Sequence, residues 1–225
     1  MESQIAAELR PRLAPVAVVF TDVKPAPALQ FEPGRRGCVI SLLRAAAEGR
    51  TAVMDAEIVG CRGGLVGLGF VERFADVEGM SLFLSTGGGP GGRPGEGYKK
   101  TPELARNFIK GMPPVGRLPA YRVLKPLAEV DPAVETPRLV VFLANADQLS
   151  ALTVLANYGR GTNDNVVVRF GSGCWSICRG PEQLSREEPH EVAFGLDDGG
   201  PADESRLVRA VVRGIPIVNT YVPQG

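Results

Sequence analysis

An unbroken apolar run, VAVVF at 16–20, is the feature that most constrains what this chain can fold into. A short, β-branched run of this kind is typical of a strand that is buried on both faces. The clearest helix is predicted at 38–48, where apolar residues recur at helical spacing and Gly49 follows the last of them. The chain therefore combines a buried sheet with helices that cover it.

Other segments extend this pattern along the chain. Further strands are predicted at 51–56, 121–124, 139–143, 165–170 and 191–194, and further helices at 2–13, 102–111, 145–157 and 204–213. The last helix would begin at Asp203 and carry a solvated stripe of Arg206, Arg209 and Arg213. Strands and helices mix without the strict alternation of a doubly wound sheet. The sequence predicts an α/β or α+β fold, a single compact domain over 1–225 with a mixed β-sheet flanked by helices.

Charge and histidine content exclude several functions. The 25 Lys and Arg residues balance the 25 Asp and Glu residues, which argues against a protein that holds nucleic acid by bulk electrostatics. A single histidine, His190, rules out a histidine-rich metal site and leaves one candidate base for a Ser–His–acid triad. Its charged surroundings favour a solvated loop instead.

The N-terminus and the apolar runs bear on location and partners. Residues 1–11 lack the basic and apolar regions of a signal peptide, and no apolar run approaches the length of a membrane span. We therefore expect a cytoplasmic protein with no membrane partner. Apolar strands without obvious edge protection are compatible with a homodimer.

Residues 85–100 (STGGGPGGRPGEGYKK) form the most irregular stretch and are predicted to be a mobile surface loop. They do not match a Walker loop, because no strand ends just before the glycines and the prolines remove amide donors. Arg93, Tyr98 and Lys99 precede a predicted helix N-terminus, which attracts anions. We predict that these three residues bind substrate from a lid that closes over a small anionic ligand.

The four cysteines carry most of the functional information. Cys38 lies at the first turn of a predicted helix, Cys61 opens the glycine-rich segment CRGGLVGLGF before a short helix, and Cys174 follows a predicted strand. All three lie beside glycine at the ends of elements, where ligands and reactive thiols are placed. There is no C-x-x-C pair, so neither a zinc ribbon nor a ferredoxin cluster is indicated.

Several interpretations of the cysteines stay open. Cys174 and Cys178 are at helical spacing, so Cys178 is either a fourth ligand or part of the core. Three or four cysteines could share a metal or a cluster, or they could be independent small apolar side chains. A third interpretation is metal-free thiol chemistry by Cys38, whose pKa a helix N-terminus would lower.

The order of these landmarks resembles the family known as domain of unknown function 169, or ArCR-type proteins, over roughly residues 16–222. The landmarks are Cys38 before an Ala-rich helix, Cys61-Arg-Gly-Gly, the segment 140–158, Gly173-Cys174 and Gly214-Ile-Pro. The resemblance implies a cytoplasmic single-domain α/β protein and no particular activity. Cys38, Cys61 and Cys174 are the family-like cysteines. Many members have a further Cys-x-Gly in the late strand-loop, where this chain reads Gly195-Leu-Asp-Asp-Gly-Gly.

From these observations we expect a cysteine-ligated iron–sulfur cluster or other metal site, with Cys38, Cys61, Cys174 and Cys178 as ligands. Three thiolates would leave one iron open as a Lewis acid, which suits a non-redox lyase or a sulfur-transfer enzyme acting on a small anionic substrate. Four would favour electron transfer or a structural role. The alternative is a small-molecule-binding or regulatory module without metal, in which the cysteines are structural. The sequence names no catalytic residue and does not decide whether the protein is an enzyme.

Overall fold

The computed structural model describes residues 3–25, 28–35, 37–58, 60–88, 92, 94–112, 114–158, 161–163, 166 and 174–175, with the backbone of 206–212 and 215–221. The chain divides into two compact units. The first, here called the sheet unit, comprises Met1–Phe70 and Arg117–Gly225, and the second, the helical unit, is Val71–Gly116. The organisation of 1–225 as a single domain stays a prediction.

The sheet unit contains a six-stranded sheet with the strand order β2-β3-β1-β4-β6-β5. The strands are β1 Val16–Thr21, β2 Ala52–Met54, β3 Tyr121–Pro126, β4 Leu139–Phe142, β5 Arg206–Val212 and β6 Ile215–Tyr221. Strands β4 and β6 pair in parallel, and the other neighbours pair antiparallel. The predicted mixed sheet is confirmed.

Six α-helices lie in the described residues. They are α1 Gln4–Leu9, α2 Val39–Ala47, α3 Arg62–Gly67, α4 Val77–Phe83, α5 Pro102–Lys110 and α6 Ala146–Asn157. Helices α4 and α5 belong to the helical unit, and the other four belong to the sheet unit. None of these helices is both long and apolar enough to cross a membrane.

Helices cover both faces of the sheet around β1. Val16 and Val18 lie in one core cluster with Leu43 of α2, whereas Ala17 lies in a second cluster with Leu152 of α6. Alternate residues of a strand point to opposite faces, so the unbroken apolar run supplies both clusters. Burying each such valine or leucine stabilises the fold by about 1.5–3 kcal/mol relative to exposure. The sequence prediction of a strand that is buried on both faces is confirmed.

Most of the elements predicted from local signals agree with the structure. The structure confirms the helices predicted at 38–48, 102–111 and 145–157. It also confirms the strands predicted at 51–56, 121–124 and 139–143. The helix predicted at 2–13 is shorter, because Arg10 adopts a left-handed conformation (φ 47°) that ends α1 before Pro11. The strands predicted at 165–170 and 191–194 lie outside the described residues, apart from residue 166.

The helix predicted at 204–213 is wrong. Arg206–Val212 is strand β5, which pairs antiparallel with β6 from Arg206 opposite Tyr221 to Val212 opposite Ile215. A short apolar segment does not separate helix from strand by its periodicity, and here the ladder with β6 decides. The predicted stripe of Arg206, Arg209 and Arg213 requires helical spacing, which the extended backbone of 206–212 does not provide.

In the helical unit, α4 and α5 are joined by a bidentate ion pair. The Nε and Nη2 atoms of Arg106 lie 2.7 and 2.5 Å from the carboxylate oxygens of Glu78. The glycine-rich loop returns to the end of α4, where the N–H of Glu96 donates to the carbonyl of Phe83 at 2.7 Å and the N–H of Gly97 donates to that of Ser85 at 3.1 Å. The mobility of this loop stays a prediction.

Candidate functional site

Cys61 is the N-cap residue of α3, and its side chain accepts a backbone N–H of the first turn, as the side chain of a capping Ser or Asp does. Its Sγ accepts a hydrogen bond from the backbone N–H of Gly64 at 3.0 Å. Helix α3 is only six residues long and contains Gly63, Gly64 and Gly67. A helix this short and this rich in glycine has little stability of its own, so tertiary contacts must hold it in place.

The glycines of α3 make room for the segment Cys174–Trp175. A Cβ on Gly67 would lie 2.7 Å from the backbone nitrogen of Trp175 and 2.8 Å from the carbonyl carbon of Cys174. A Cβ on Gly63 would lie 3.7 Å from the Sγ of Cys174, which is an ordinary contact. Residues four apart share one face of a helix, so these two glycines form a bare strip against which residues 174–175 pack.

This packing brings two predicted site residues, Cys61 and Cys174, into contact. The hydrogen bond between their side chains is the main cause that lowers the pKa of the Cys61 thiol to about 7. Burial opposes the shift, and backbone N–H groups of Gly64 and Gly63 add to it. Cys61 is partly exposed, whereas Cys174 is 9% exposed. The pair therefore consists of a partly exposed cysteine with a pKa of about 7 beside a buried thiol.

Cys38 lies at the start of the neighbouring helix α2. It is the N-cap residue, but its side chain makes no capping hydrogen bond, and it packs against the core beneath α2. The N–H of Gly37 donates to the carbonyl of Gly60 at 3.1 Å, so the residues just before Cys38 and Cys61 are joined. The ring of Phe31 covers both glycines, since an added Cβ would lie 2.2 Å from it at Gly37 and 2.8 Å from it at Gly60.

The structure brings the predicted metal ligands together only in part. Cys61 and Cys174 are in contact, Cys38 begins the adjacent turn, and Cys178 lies outside the described residues. Among the residues that the structure describes, no group of three or more His, Cys, Asp or Glu side chains could hold a metal ion. A metal or iron–sulfur site therefore stays a prediction.

The predicted substrate-binding residues belong to the helical unit. Arg93 lies outside the described residues, and Tyr98 is partly exposed. The Nζ of Lys99 lies 4.9 Å from the ring centroid of Phe108, and its backbone N–H donates to the carbonyl of Leu84 at 3.1 Å. The cation–π contact places the ammonium group on α5. Binding of an anionic substrate by these residues stays a prediction.

Sequence reasoning missed Arg122, a buried residue that supports α3. Arg122 is 1% exposed, and its guanidinium lies 4.5 Å from the ring centroid of Phe20 and 4.4 Å from that of Phe70. Its Nε donates to the carbonyl of Leu68 at 3.0 Å, and a second N–H donates to the carbonyl of Pro119. The N–H of Leu68 in turn donates to the carbonyl of Gly64, whose own N–H donates to the Sγ of Cys61. The feature of the sequence that could have identified this residue is the presence of an arginine within a predicted apolar strand.

Trp175 is the second residue that sequence reasoning missed. It is the one tryptophan of the chain, it is 8% exposed, and its indole Nε1 has no hydrogen-bond partner among the described residues. A buried N–H without a partner costs about 1–3 kcal/mol, so it needs an explanation. Its position directly after Cys174 was the signal that could have drawn attention to it.

Comparison with known proteins identifies a family but no closer relative. The family model for domain of unknown function 169, described as uncharacterised ArCR, matches residues 4–197. Comparison with curated proteins and with solved structures returned no match. The matched range includes all four cysteines and most of the sheet unit. The resemblance noted from the cysteine landmarks is confirmed, and the chain belongs to the uncharacterised ArCR family, domain of unknown function 169.

Proposed function

We propose that this protein performs thiol chemistry, with the sulfur of Cys61 as the nucleophile toward a soft electrophile. The observation that supports this is the hydrogen bonding of Cys61 Sγ, which accepts the N–H of Gly64 at 3.0 Å and is hydrogen-bonded to the thiol of Cys174. Hydrogen bonds to a charged group favour its charged form, and the thiolate is the reactive form of cysteine.

The surroundings of Cys61 suit this role. Its pKa of about 7 leaves much of the thiol ionised near neutral pH without the loss of nucleophilicity that a very low pKa brings. A thiolate formed in this way needs no separate base. Of the two sulfur atoms in contact, that of the partly exposed Cys61 is the one an external molecule can reach, because Cys174 is buried.

Alkylation with iodoacetamide, followed by peptide mass spectrometry, tests this proposal. We expect Cys61 to be labelled first, with a midpoint near pH 7, and the fast phase to disappear in Cys61→Ser. Cys38→Ser is the matched control, since that cysteine also precedes a helix in the same unit, and it should keep the fast phase. Faster labelling of Cys38, or no fast phase at all in metal-free protein, would overturn the proposal.

The second candidate is a metal centre, most simply an iron–sulfur cluster, held by Cys38, Cys61 and Cys174 with Cys178 as the fourth ligand. It is favoured by the hydrogen bond from Gly37 to Gly60, which joins the turns that carry Cys38 and Cys61, next to the contact with Cys174. Thiolates are the ligands of such clusters, and N–H donors to sulfur, here from Gly64, are part of their usual surroundings.

Ligation by Cys178 would close the site, whereas ligation by the other three cysteines alone would leave the metal an open position for a small anionic substrate, as a non-redox lyase or sulfur-transfer enzyme needs. Purification without oxygen, followed by iron, zinc and sulfide analysis, separates the two candidates. Bound metal that protects Cys61 from iodoacetamide would support the metal centre. Metal-free protein whose Cys61 reacts rapidly would exclude it and leave the thiol chemistry.

A further inference from the structure

We infer that Cys61 and Cys174 form a reversible intramolecular disulfide, so that the site acts as a dithiol that reduces a low-molecular-weight disulfide. The inference rests on the proposed thiol chemistry at Cys61 and adds a substrate class and a second participating residue. Cys174 is the resolving cysteine in this scheme.

The placement of Cys174 over α3 carries the inference. Its Sγ lies 3.7 Å from the position a Cβ would take on Gly63, within the first turn of the helix that Cys61 caps. The side chains of the two cysteines are hydrogen-bonded to each other. Gly63 and Gly67 have no side chains that could lie between Cys61 and Cys174. The two cysteines therefore approach each other although they are far apart in the sequence.

Differences in exposure set the order of the two steps. Cys61 is partly exposed and also held by the N–H of Gly64, so an external disulfide reaches it first. Cys174 is 9% exposed and therefore does not meet the external disulfide directly. Access to the external disulfide therefore decides that the sulfur of Cys61 attacks first and that the sulfur of Cys174 resolves.

The reaction balances as two successive exchanges. The Cys61 thiolate attacks one sulfur of the disulfide R–S–S–R, which forms a Cys61–S–S–R bond and releases one RS⁻ that takes up a proton. The sulfur of Cys174 then attacks the Sγ of Cys61, which breaks the bond to S–R, and the second RS⁻ that leaves takes up the proton that the Cys174 thiol loses. The two cysteines lose two electrons in total, and the external disulfide is reduced to two thiols.

Oxidised glutathione is the probe that tests this inference on the full chain. After incubation and acid quenching, non-reducing peptide mapping should show a Cys61–Cys174 cross-link with loss of the thiols of Cys61 and Cys174, which are both free in the structure. In Cys174→Ser the reaction should stop at a Cys61–glutathione mixed disulfide, and in Cys61→Ser neither product should form. Cys38→Ser is the control and should give the same cross-link as the wild type.

The outcomes separate this inference from the proposed function. Wild-type protein that stops at the Cys61–glutathione mixed disulfide, or that links Cys61 to Cys38, would overturn the resolving role of Cys174 and leave the nucleophilic role of Cys61 intact. Failure of Cys61 to react in every variant would overturn both. Because the cross-link is mapped in wild-type protein, the result does not depend on whether the Cys174 variant folds.

Discussion

Gly67 and Trp175 touch so closely that no side chain fits between them: an added Cβ on Gly67 would lie 2.7 Å from the backbone nitrogen of Trp175. Real Cβ atoms do not approach other atoms this closely. The contact involves backbone on the Trp175 side, so a rotamer change cannot relieve it. The packing of the Cys174–Trp175 segment against α3 therefore requires glycine at position 67.

Gly67→Ala should destabilise the sheet unit and displace Trp175. We expect a loss of about 1–3 kcal/mol in the free energy of unfolding, as for other substitutions that overpack a buried contact. Gly63→Ala is the matched control, because its Cβ would lie 3.7 Å from Cys174 Sγ and alanine favours a helix by about 1 kcal/mol over glycine. Urea denaturation followed by the fluorescence of the single tryptophan measures both. Equal stability of the two variants would contradict the packing described.

The lowered pKa of Cys61 should make stability depend on pH. The thiol has a pKa of about 7 in the folded protein and a higher one when unfolded, so the unfolded chain binds more protons between these two values. The stabilising contribution is fully present above the unfolded pKa and is lost as the pH falls through about 7. The difference in unfolding free energy between wild type and Cys61→Ser should therefore grow as the pH rises above about 7. Parallel pH profiles would show that Cys61 does not ionise in this way.

Cys174→Ala should raise the pKa of Cys61, because the hydrogen bond from Cys174 is the largest cause of its lowering. The midpoint of the pH dependence of iodoacetamide labelling at Cys61 should move to higher pH. The N–H donors of Gly63 and Gly64 remain in this variant, so the shift should be partial. An unchanged midpoint would mean that Cys174 does not act on Cys61.

Arg122→Lys should be strongly destabilising although the charge is kept. The planar guanidinium of Arg122 donates to the carbonyls of Leu68 and Pro119, and a lysine ammonium cannot reproduce both hydrogen bonds. It also cannot replace the contacts of the guanidinium with the rings of Phe20 and Phe70. We expect a loss of about 1–3 kcal/mol in the free energy of unfolding, the cost of leaving a buried polar group without its partner. Arg106→Lys, in the exposed ion pair with Glu78, is the control and should cost less. Comparable losses in urea denaturation would argue against a special role for Arg122.

Asn145→Ala should destabilise α6 through its N-terminus. The Asn145 side chain accepts the N–H of Gln148 at 2.9 Å, and the Gln148 side chain accepts the N–H of Asn145 at 2.9 Å, which is a complete capping box. Loss of such a cap costs about 1 kcal/mol. Asn145→Asp keeps an acceptor at the cap and should stay near wild type in thermal or urea unfolding. A destabilised Asp variant would point to a role beyond capping.

The elements that the sequence predicted well are those with local signals. The side chains of Asn145 and Thr101 each cap a helix by accepting the backbone N–H of the residue three positions later, and Pro102 follows Thr101 at the first helical position. Such signals act within one turn of helix, so they can be recognised without knowing the rest of the fold. At 206–212 a local signal of the same kind, Asp203 as a predicted cap, favoured a helix, but the pairing with β6 decided the conformation.

The site was predicted less completely than the fold. The positions of Cys61 and Cys174 beside glycine marked both as functional candidates, but nothing in their spacing showed that their side chains would meet. Their contact depends on the bare strip of Gly63 and Gly67, which becomes visible only when α3 and the Cys174–Trp175 segment are placed together. Arg122 shows the same limit, since its role depends on the carbonyl of Leu68, 54 positions away.

By itself, the sequence determined the buried strand at 16–20, the capped helices and the positions of Cys38 and Cys61 just before helices, because each depends on residues within a few positions of one another. The tertiary structure decided the strand order of the sheet, the extended conformation of 206–212 and the meeting of Cys61 with Cys174. Strand ladders and side-chain contacts across the fold join residues that are distant in sequence. The free energy of those contacts depends on how the whole chain packs, and it outweighs weak local preference where the two disagree.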